Sequence, residues 1–361
     1  FVIAVLFAGV VVYILLPLSA SSWWRHPFPG LVLDPNLVIN DTASEDWAAR
    51  LVEPPVKYPE RVTAVNGQPV SSNKEFWTRL QAFSPGDTLT ITVEQPTNST
   101  IKADETRPLT RTFTTTLTNF SSRDKWNHFW IIYLTGLSWL IGGIWTFWLR
   151  PHSEAAQIFA LLMAFGSVAI GGLFDLVTSQ WVIRIWIAAL PLTAVWIVWL
   201  AGIFPYQTRL FKKYPGIKYI LLLLGIIVAI WGQLWLTSNR DPWAYAIPWR
   251  AAYALSGLGV LIAIIILGYR AFRSPSPLVR QQTRFILIGA FLAFTPVTIA
   301  FFTLASKSTT PEWFTPTVYI IPIIIFPIAI GYTIIRYRLL DLEIVLRRGV
   351  AFGLLTTILV G

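Results

Sequence analysis

One apolar segment, Phe1–Ser19, is followed by a mostly polar stretch over residues 20–125, and then by further apolar segments in close succession to the last residue. Crossing the hydrocarbon core of a bilayer takes about 20 predominantly apolar residues in a helix, because each backbone N–H and C=O must find its partner within the segment. A chain with this layout is constrained to a membrane all-α bundle. One aqueous domain is displayed between its first and second spans.

Composition agrees. Of 361 residues, 55% are hydrophobic and 13% charged, against about 25% charged in soluble domains. Many of the 18 tryptophans fall at expected span ends: Trp23, Trp24, Trp126, Trp148, Trp181, Trp235, Trp249 and Trp313. An amphipathic ring is favoured there by the headgroup region. The net charge of +10 raises the question of nucleic acid. The basic residues lie in short loops between apolar segments, however, so the charge is read as topology-setting, with membrane lipid as partner and no nucleic acid. The chain has no cysteine, which excludes disulfides, cysteine–zinc sites and thiol nucleophiles. The displayed domain must be held by its own core.

The expected spans are 1–19, 126–149, 155–177, 182–205, 217–237, 249–270, 284–305 and 315–335, with a ninth starting near Gly349 (a truncated helix over 349–361). About eight to nine transmembrane helices are therefore visible. Loops alternate sides. One set carries Arg150; Arg209, Lys212, Lys213 and Lys218; Arg270, Arg273, Arg280 and Arg284; and Arg336, Arg338, Arg347 and Arg348. The other set has only Arg184, Arg240, Arg250 and Lys307 in its short loops. Lys and Arg accumulate on the cytoplasmic side, so the first set is expected inside and residues 20–125 outside. The first segment lacks an A-x-A cleavage site and is read as a retained anchor. The chain is expected to be part of a longer protein, and a cytoplasmic output domain would require a tenth span.

In the displayed domain, Leu31–Ile39 has strand character, Trp47–Val52 reads as a short helix or turn, and Arg61–Val65 is a strand closed by the tight-turn pair Asn66-Gly67. Ser72 and Glu75 form a capping box for a helix over Asn73–Phe83, whose Phe76, Trp77, Leu80 and Phe83 share one face. After a turn at Pro85-Gly86-Asp87 come an alternating strand, Thr88–Glu94, and a last strand, Arg111–Leu117; residues 96–108 read as a hairpin loop. The run RVTAVNGQPVSSNKEFWTRLQAFSPGDTLTITVEQ (Arg61–Gln95) resembles the second half of a bacterial PDZ domain. The first half departs from that pattern: the Gly-Leu-Gly-Phe loop is absent, and so is the small-residue helix before the V-N-G strand. PDZ domains bind a peptide by strand addition, with its C-terminal carboxylate on backbone N–H groups. The resemblance implies a groove for a peptide or protein C-terminus formed by Gly30, Leu31, Val32 and Leu33 against Phe76 and Leu80. A PDZ-shaped spacer filled by its own chain, and a dimerisation module, remain open alternatives.

The stretch IIRYRLLDLEIVLRRGVAFGLLTTILVG (Ile334–Gly361) resembles the juxtamembrane region of ComP-like bacterial sensor histidine kinases. That resemblance implies a multi-pass protein of the bacterial plasma membrane, a possible homodimer, and a kinase output domain that alone binds ATP and Mg²⁺; no cofactor is expected in the visible residues. Residues 336–348 form a basic amphipathic piece suited to the inner membrane surface. Its Arg336, Arg338, Asp341, Glu343, Arg347 and Arg348 are candidates for coupling the bundle to output, or for simple topology setting near anionic lipid.

Within the spans, Gln157, Asp175, Arg184 and Gln233 are polar, and an interfacial Asp175–Arg184 salt bridge is expected. Pro191, Pro296, Pro322 and Pro327 can kink their helices, and Gly142-Gly143 and Gly171-Gly172 allow close packing. His26, His128 and His152 have no metal-site spacing, no H-E-x-x-H motif occurs, and neither a nucleophile elbow nor a phosphate loop is present. Three readings follow: a signal-sensing membrane region of a bacterial sensor histidine kinase, an accessory subunit that docks through the PDZ-like domain, and a transporter.

Overall fold

A computed structural model describes residues 1–42, 44, 46–96, 110–237, 241–273, 277–306 and 314–337. Among these, seven helices are long and apolar enough to cross a membrane: Val2–Trp23, Ser122–Leu149, Glu154–Gly171, Ile183–Ile203, Ile217–Trp235, Ala246–Arg273 and Arg280–Ser306. The expected span at 315–335 is interrupted. Pro316–Ile320 is helical, Ile321–Ile324 forms a 3₁₀ turn, and Ile325–Tyr337 resumes the helix. Pro322 and Pro327 lack the N–H that a continuous ladder needs. The expected ninth span lies outside the described residues.

The polar segment folds as a small α/β unit. Four antiparallel strands, β1 (Arg61–Val65), β2 (Gln68–Pro69), β3 (Thr88–Glu94) and β4 (Thr110–Thr116), lie in the order β2-β1-β3-β4. Asn66 and Gly67 close the β1–β2 hairpin with φ of 48° and 75°, the left-handed pair that matches strand twist. Period-two alternation sends Leu89, Ile91 and Val93 of β3 into the core, while Thr88, Thr90 and Thr92 stand opposite Thr116, Thr114 and Thr112 on the outer face. Helix Asn73–Leu80 buries Phe76, Trp77 and Leu80.

Its cap differs in one respect from the expected box. The Ser72 hydroxyl accepts from the Glu75 amide, but the Glu75 carboxylate reaches back to the amide and hydroxyl of Ser71, not Ser72. Leu31–Ile39 also differs from expectation. Strand pairing is limited to the isolated bridges Leu33↔Ile39 and Val38↔Arg61. Asp34-Pro35 turns the chain, and left-handed Asn36 and Leu37 (φ 60° and 66°) make a tight loop between them.

The helices pack through small residues. A methyl group on Gly171 would lie 2.3 Å from the Tyr13 hydroxyl, and one on Gly143 would lie 2.7 Å from Met163. Tyr13 donates to the Ser167 carbonyl at 2.7 Å, which fixes the first span against Glu154–Gly171. The expected 155–177 span ends early: the chain turns after Gly171, and Leu173–Leu176 forms a separate short helix.

At the end of the bundle away from the α/β unit, Arg270 is 1% exposed. Its guanidinium donates to the carbonyls of Gly202, Phe204 and Tyr206, oxygens at and just beyond the end of the Ile183–Ile203 helix. Lys218 pairs with Glu154 at 3.2 Å at the same end. Of the tryptophans expected at span ends, Trp24 is half-buried and Trp313 lies outside the described residues; the others divide into two groups. Trp126, Trp148, Trp181 and Trp235 are exposed, as a membrane belt requires, whereas Trp23 and Trp249 are buried in the core.

Candidate functional site

The α/β unit has no separate core. One continuous apolar cluster runs from Val12 and Leu16 of the first span, through Leu31–Leu33, Leu37–Ile39, Phe76 and Leu80, to Trp186, Tyr245 and Trp249 of the helices. Trp23, the last residue of the first span, is its aromatic hub. Its ring makes edge contacts with Phe28 (5.9 Å), Trp77 (5.0 Å), Phe120 (5.3 Å) and Phe174 (5.4 Å). Edge-to-face pairs of this kind fix ring orientation as well as burying area.

The apolar side chains expected to line a peptide groove are all inside this cluster. Leu31, Val32, Leu33, Phe76 and Leu80 are at most 2% exposed. Gly30 has φ 78°, and a methyl group there would come within 2.6 Å of the Ala48 amide nitrogen. The backbone groups of Leu33 are taken by the helical part of the chain: its N–H donates to the Val177 carbonyl (3.1 Å), and its carbonyl accepts from the Gln180 side chain (3.3 Å). Strand addition by a peptide needs those groups free.

The loop after Leu33 makes a second set of bonds. The Asn36 amide donates to the carbonyls of Leu236 (3.3 Å) and Pro242 (3.0 Å), in the connection that leads into Ala246–Arg273. Left-handed φ is tolerated by Asn at small cost, and it aims this side chain at the helices. Asn73 braces the loop from the other side, accepting from the Leu37 amide and donating to the Asp34 carbonyl at 2.8 Å each. Nearby, Trp243 donates to the Pro59 carbonyl (2.7 Å) and Arg250 to the Tyr58 hydroxyl (3.2 Å).

Asp34 occupies the centre. Its carboxylate accepts from the Tyr245 hydroxyl (2.9 Å) and the Asn40 amide (2.7 Å). Burial pushes its pKa up to about 6, against the pull of those two hydrogen bonds. Burial also raises the Tyr245 and Tyr58 hydroxyls above the usual phenol value, so both stay protonated at neutral pH.

A second buried carboxylate, Asp175, ties the first span to the head of Ile183–Ile203. It accepts from the Ser19 hydroxyl (3.0 Å) and from the amides of Trp181 (3.2 Å) and Val182 (2.8 Å). The expected Asp175–Arg184 pair is not formed. Arg184 turns to Gln233, donating to its side-chain oxygen at 3.4 Å, while the Gln233 amide donates to the Arg184 carbonyl. Asp175 serves better as a cap because free amide donors before a helix favour a carboxylate.

Of the juxtamembrane candidates, Arg336 falls in the Ile325–Tyr337 helix; Arg338, Asp341, Glu343, Arg347 and Arg348 lie outside the described residues. Among the described residues no group of three or more His, Asp or Glu side chains is placed to hold a metal ion. The 33–39 loop is bonded to the starts of two long helices, through Val177 and Gln180 to one and through Leu236, Pro242 and Tyr245 to the other. Sequence reasoning missed Asn36, Asn73 and Tyr245. The Asp34-Pro35-Asn36 turn signal was available, but the partners lie some 200 residues away (Asn36 to Leu236). No family model, curated protein or solved structure matches this chain.

Proposed function

We propose that this chain is the sensory membrane region of a signalling protein, of the sensor histidine kinase kind. An external PDZ-like domain biases the helices beneath it, and through them a cytoplasmic output domain. The observation that supports this reading most is the docking of the 33–39 loop on two helix starts. The outward placement of the domain rests on charge: the loops rich in Lys and Arg gather at the opposite end of the bundle, and such loops stay in the cytoplasm. The strand order and the Asn66-Gly67 hairpin suit a PDZ-like second half, with the would-be groove closed by the chain's own helices. An external peptide or lipophilic signal would then act by shifting the seated domain rather than by filling an open groove.

The test uses the full-length gene product in proteoliposomes. ATP-dependent phosphorylation is measured with the domain free and with Asn36→Cys and Pro242→Cys joined by a disulfide. The reading expects the lock to change the rate and reduction to restore it. An unchanged rate, or a full-length chain without an ATP-binding output domain, overturns it. Stoichiometric co-purification of other membrane subunits in place of kinase activity would favour the docking-subunit alternative.

A further inference from the structure

Asp34 is 6% exposed and lies where the α/β unit meets the helices. Both donors to its carboxylate, Tyr245 and Asn40, are neutral. The titratable and charged groups around it are few. Asp41 follows on its own segment, Tyr58 precedes β1, and Tyr245 and Tyr253 come from the helix side. Arg61 is engaged by the Asn36 carbonyl and Glu94, and Arg250 by Tyr58. Among the described residues no cation forms an ion pair with Asp34. A buried carboxylate with only neutral partners is held at the expense of its hydration. Adding a proton removes that penalty.

We propose that Asp34 is a proton-binding site that sets how firmly the α/β unit is seated on the helices, tight when protonated and looser when ionised. The sign follows from linkage. Seated, Asp34 has a pKa raised to about 6; released into water it would titrate near ~3.9. The seated state therefore binds the proton more tightly, and seating weakens as pH rises through about 4 to 6 and levels off above. Seating is expected to be about tenfold tighter at pH 5 than at pH 7.5. With the α/β unit outside, as proposed above, the site would report external acidity in the range where a free aspartate is already ionised.

Hydrogen exchange on the whole protein in nanodiscs tests this. The reporter is the Leu33 amide, bonded to Val177 across the junction; the Ile91 amide inside the sheet is the control. After correction for intrinsic exchange, Leu33 protection is expected to rise about tenfold from pH 7.5 to pH 5, with Ile91 unchanged. In Asp34→Asn the rise should vanish. In Tyr245→Phe, which deletes only a hydroxyl that favours the ionised form, the midpoint should move upward. A flat Leu33 profile in the unaltered chain, a rise that survives Asp34→Asn, or a midpoint that Tyr245→Phe leaves in place overturns the proposal.

Discussion

The Leu33 amide donates to the Val177 carbonyl at 3.1 Å, so the segment expected to serve as a peptide-pairing edge is already bonded to the helices of its own chain. That relationship changes what mutations at the expected groove should do. Leu31→Glu or Phe76→Glu places an unpaired charge at a site at most 1% exposed. The loss expected is at least about 3 kcal/mol, seen as unfolding of the α/β unit rather than loss of a binding surface. Limited proteolysis checks this: variants as resistant as the parent would mean the side chains face an open groove.

Two glycines with left-handed backbone should respond differently to alanine. At Gly67, φ is 75° and nothing lies within 4 Å of an added methyl, so Gly67→Ala should cost about 1 kcal/mol from backbone strain alone. At Gly30 the methyl would also strike the Ala48 backbone at 2.6 Å. Gly30→Ala should be clearly the more damaging of the two in thermal unfolding, and equal losses would contradict the tight approach of Ala48.

Close packing of the first span gives a third expectation. In Gly171→Ala the three atoms nearest the new methyl all belong to the Tyr13 side chain. Overpacking of this sort destabilises by about 1–3 kcal/mol. Tyr13→Ala should remove the clash while losing its own bond to Ser167, so the double variant should be less damaged than the sum of the singles. Strict additivity of the melting shifts would separate the two sites.

Asp175 and Arg184 provide a fourth. Asp175→Ala leaves the Trp181 and Val182 amides without their acceptor, at about 1–3 kcal/mol for each buried group left unsatisfied, while the Ser19 hydroxyl keeps Ser179 at 2.6 Å. Asp175→Asn retains one acceptor oxygen and should cost less. Arg184→Ala should cost under about 1 kcal/mol, as for a surface position. Matching losses at Asp175 and Arg184, coupled in a double-mutant cycle, would restore the salt bridge that the sequence suggested.

Local signals were legible and distant ones were not. Asn66-Gly67, the alternation of Thr88–Glu94 and the apolar face of Asn73–Leu80 each follow from residues within a few positions of one another, and each appears in the structure. Leu31–Ile39 misled because β-branched and aliphatic residues suit a strand and a buried loop alike, and the deciding contacts come from Val177, Leu236 and Tyr245. Trp23 and Trp249 read as belt residues for the same reason: a ring at a span end looks identical whether lipid or a docked domain covers it. Arg270 sat among topology-setting charges, and nothing near it in sequence marks the carbonyls of Gly202, Phe204 and Tyr206 as its partners. Asp175 and Arg184 were paired by charge, whereas the geometry supplied amide donors closer to the carboxylate.

The seating of the α/β unit on the helices is tested most directly by a disulfide in a chain that has no other cysteine. Asn36→Cys with Pro242→Cys, in native membranes under mild oxidation, should cross-link nearly completely without any added ligand, as should the within-sheet control Thr92→Cys with Thr112→Cys, whose hydroxyls lie 3.2 Å apart. Cross-linking of the control pair alone would show that the loop does not rest on the helices, and would contradict the account.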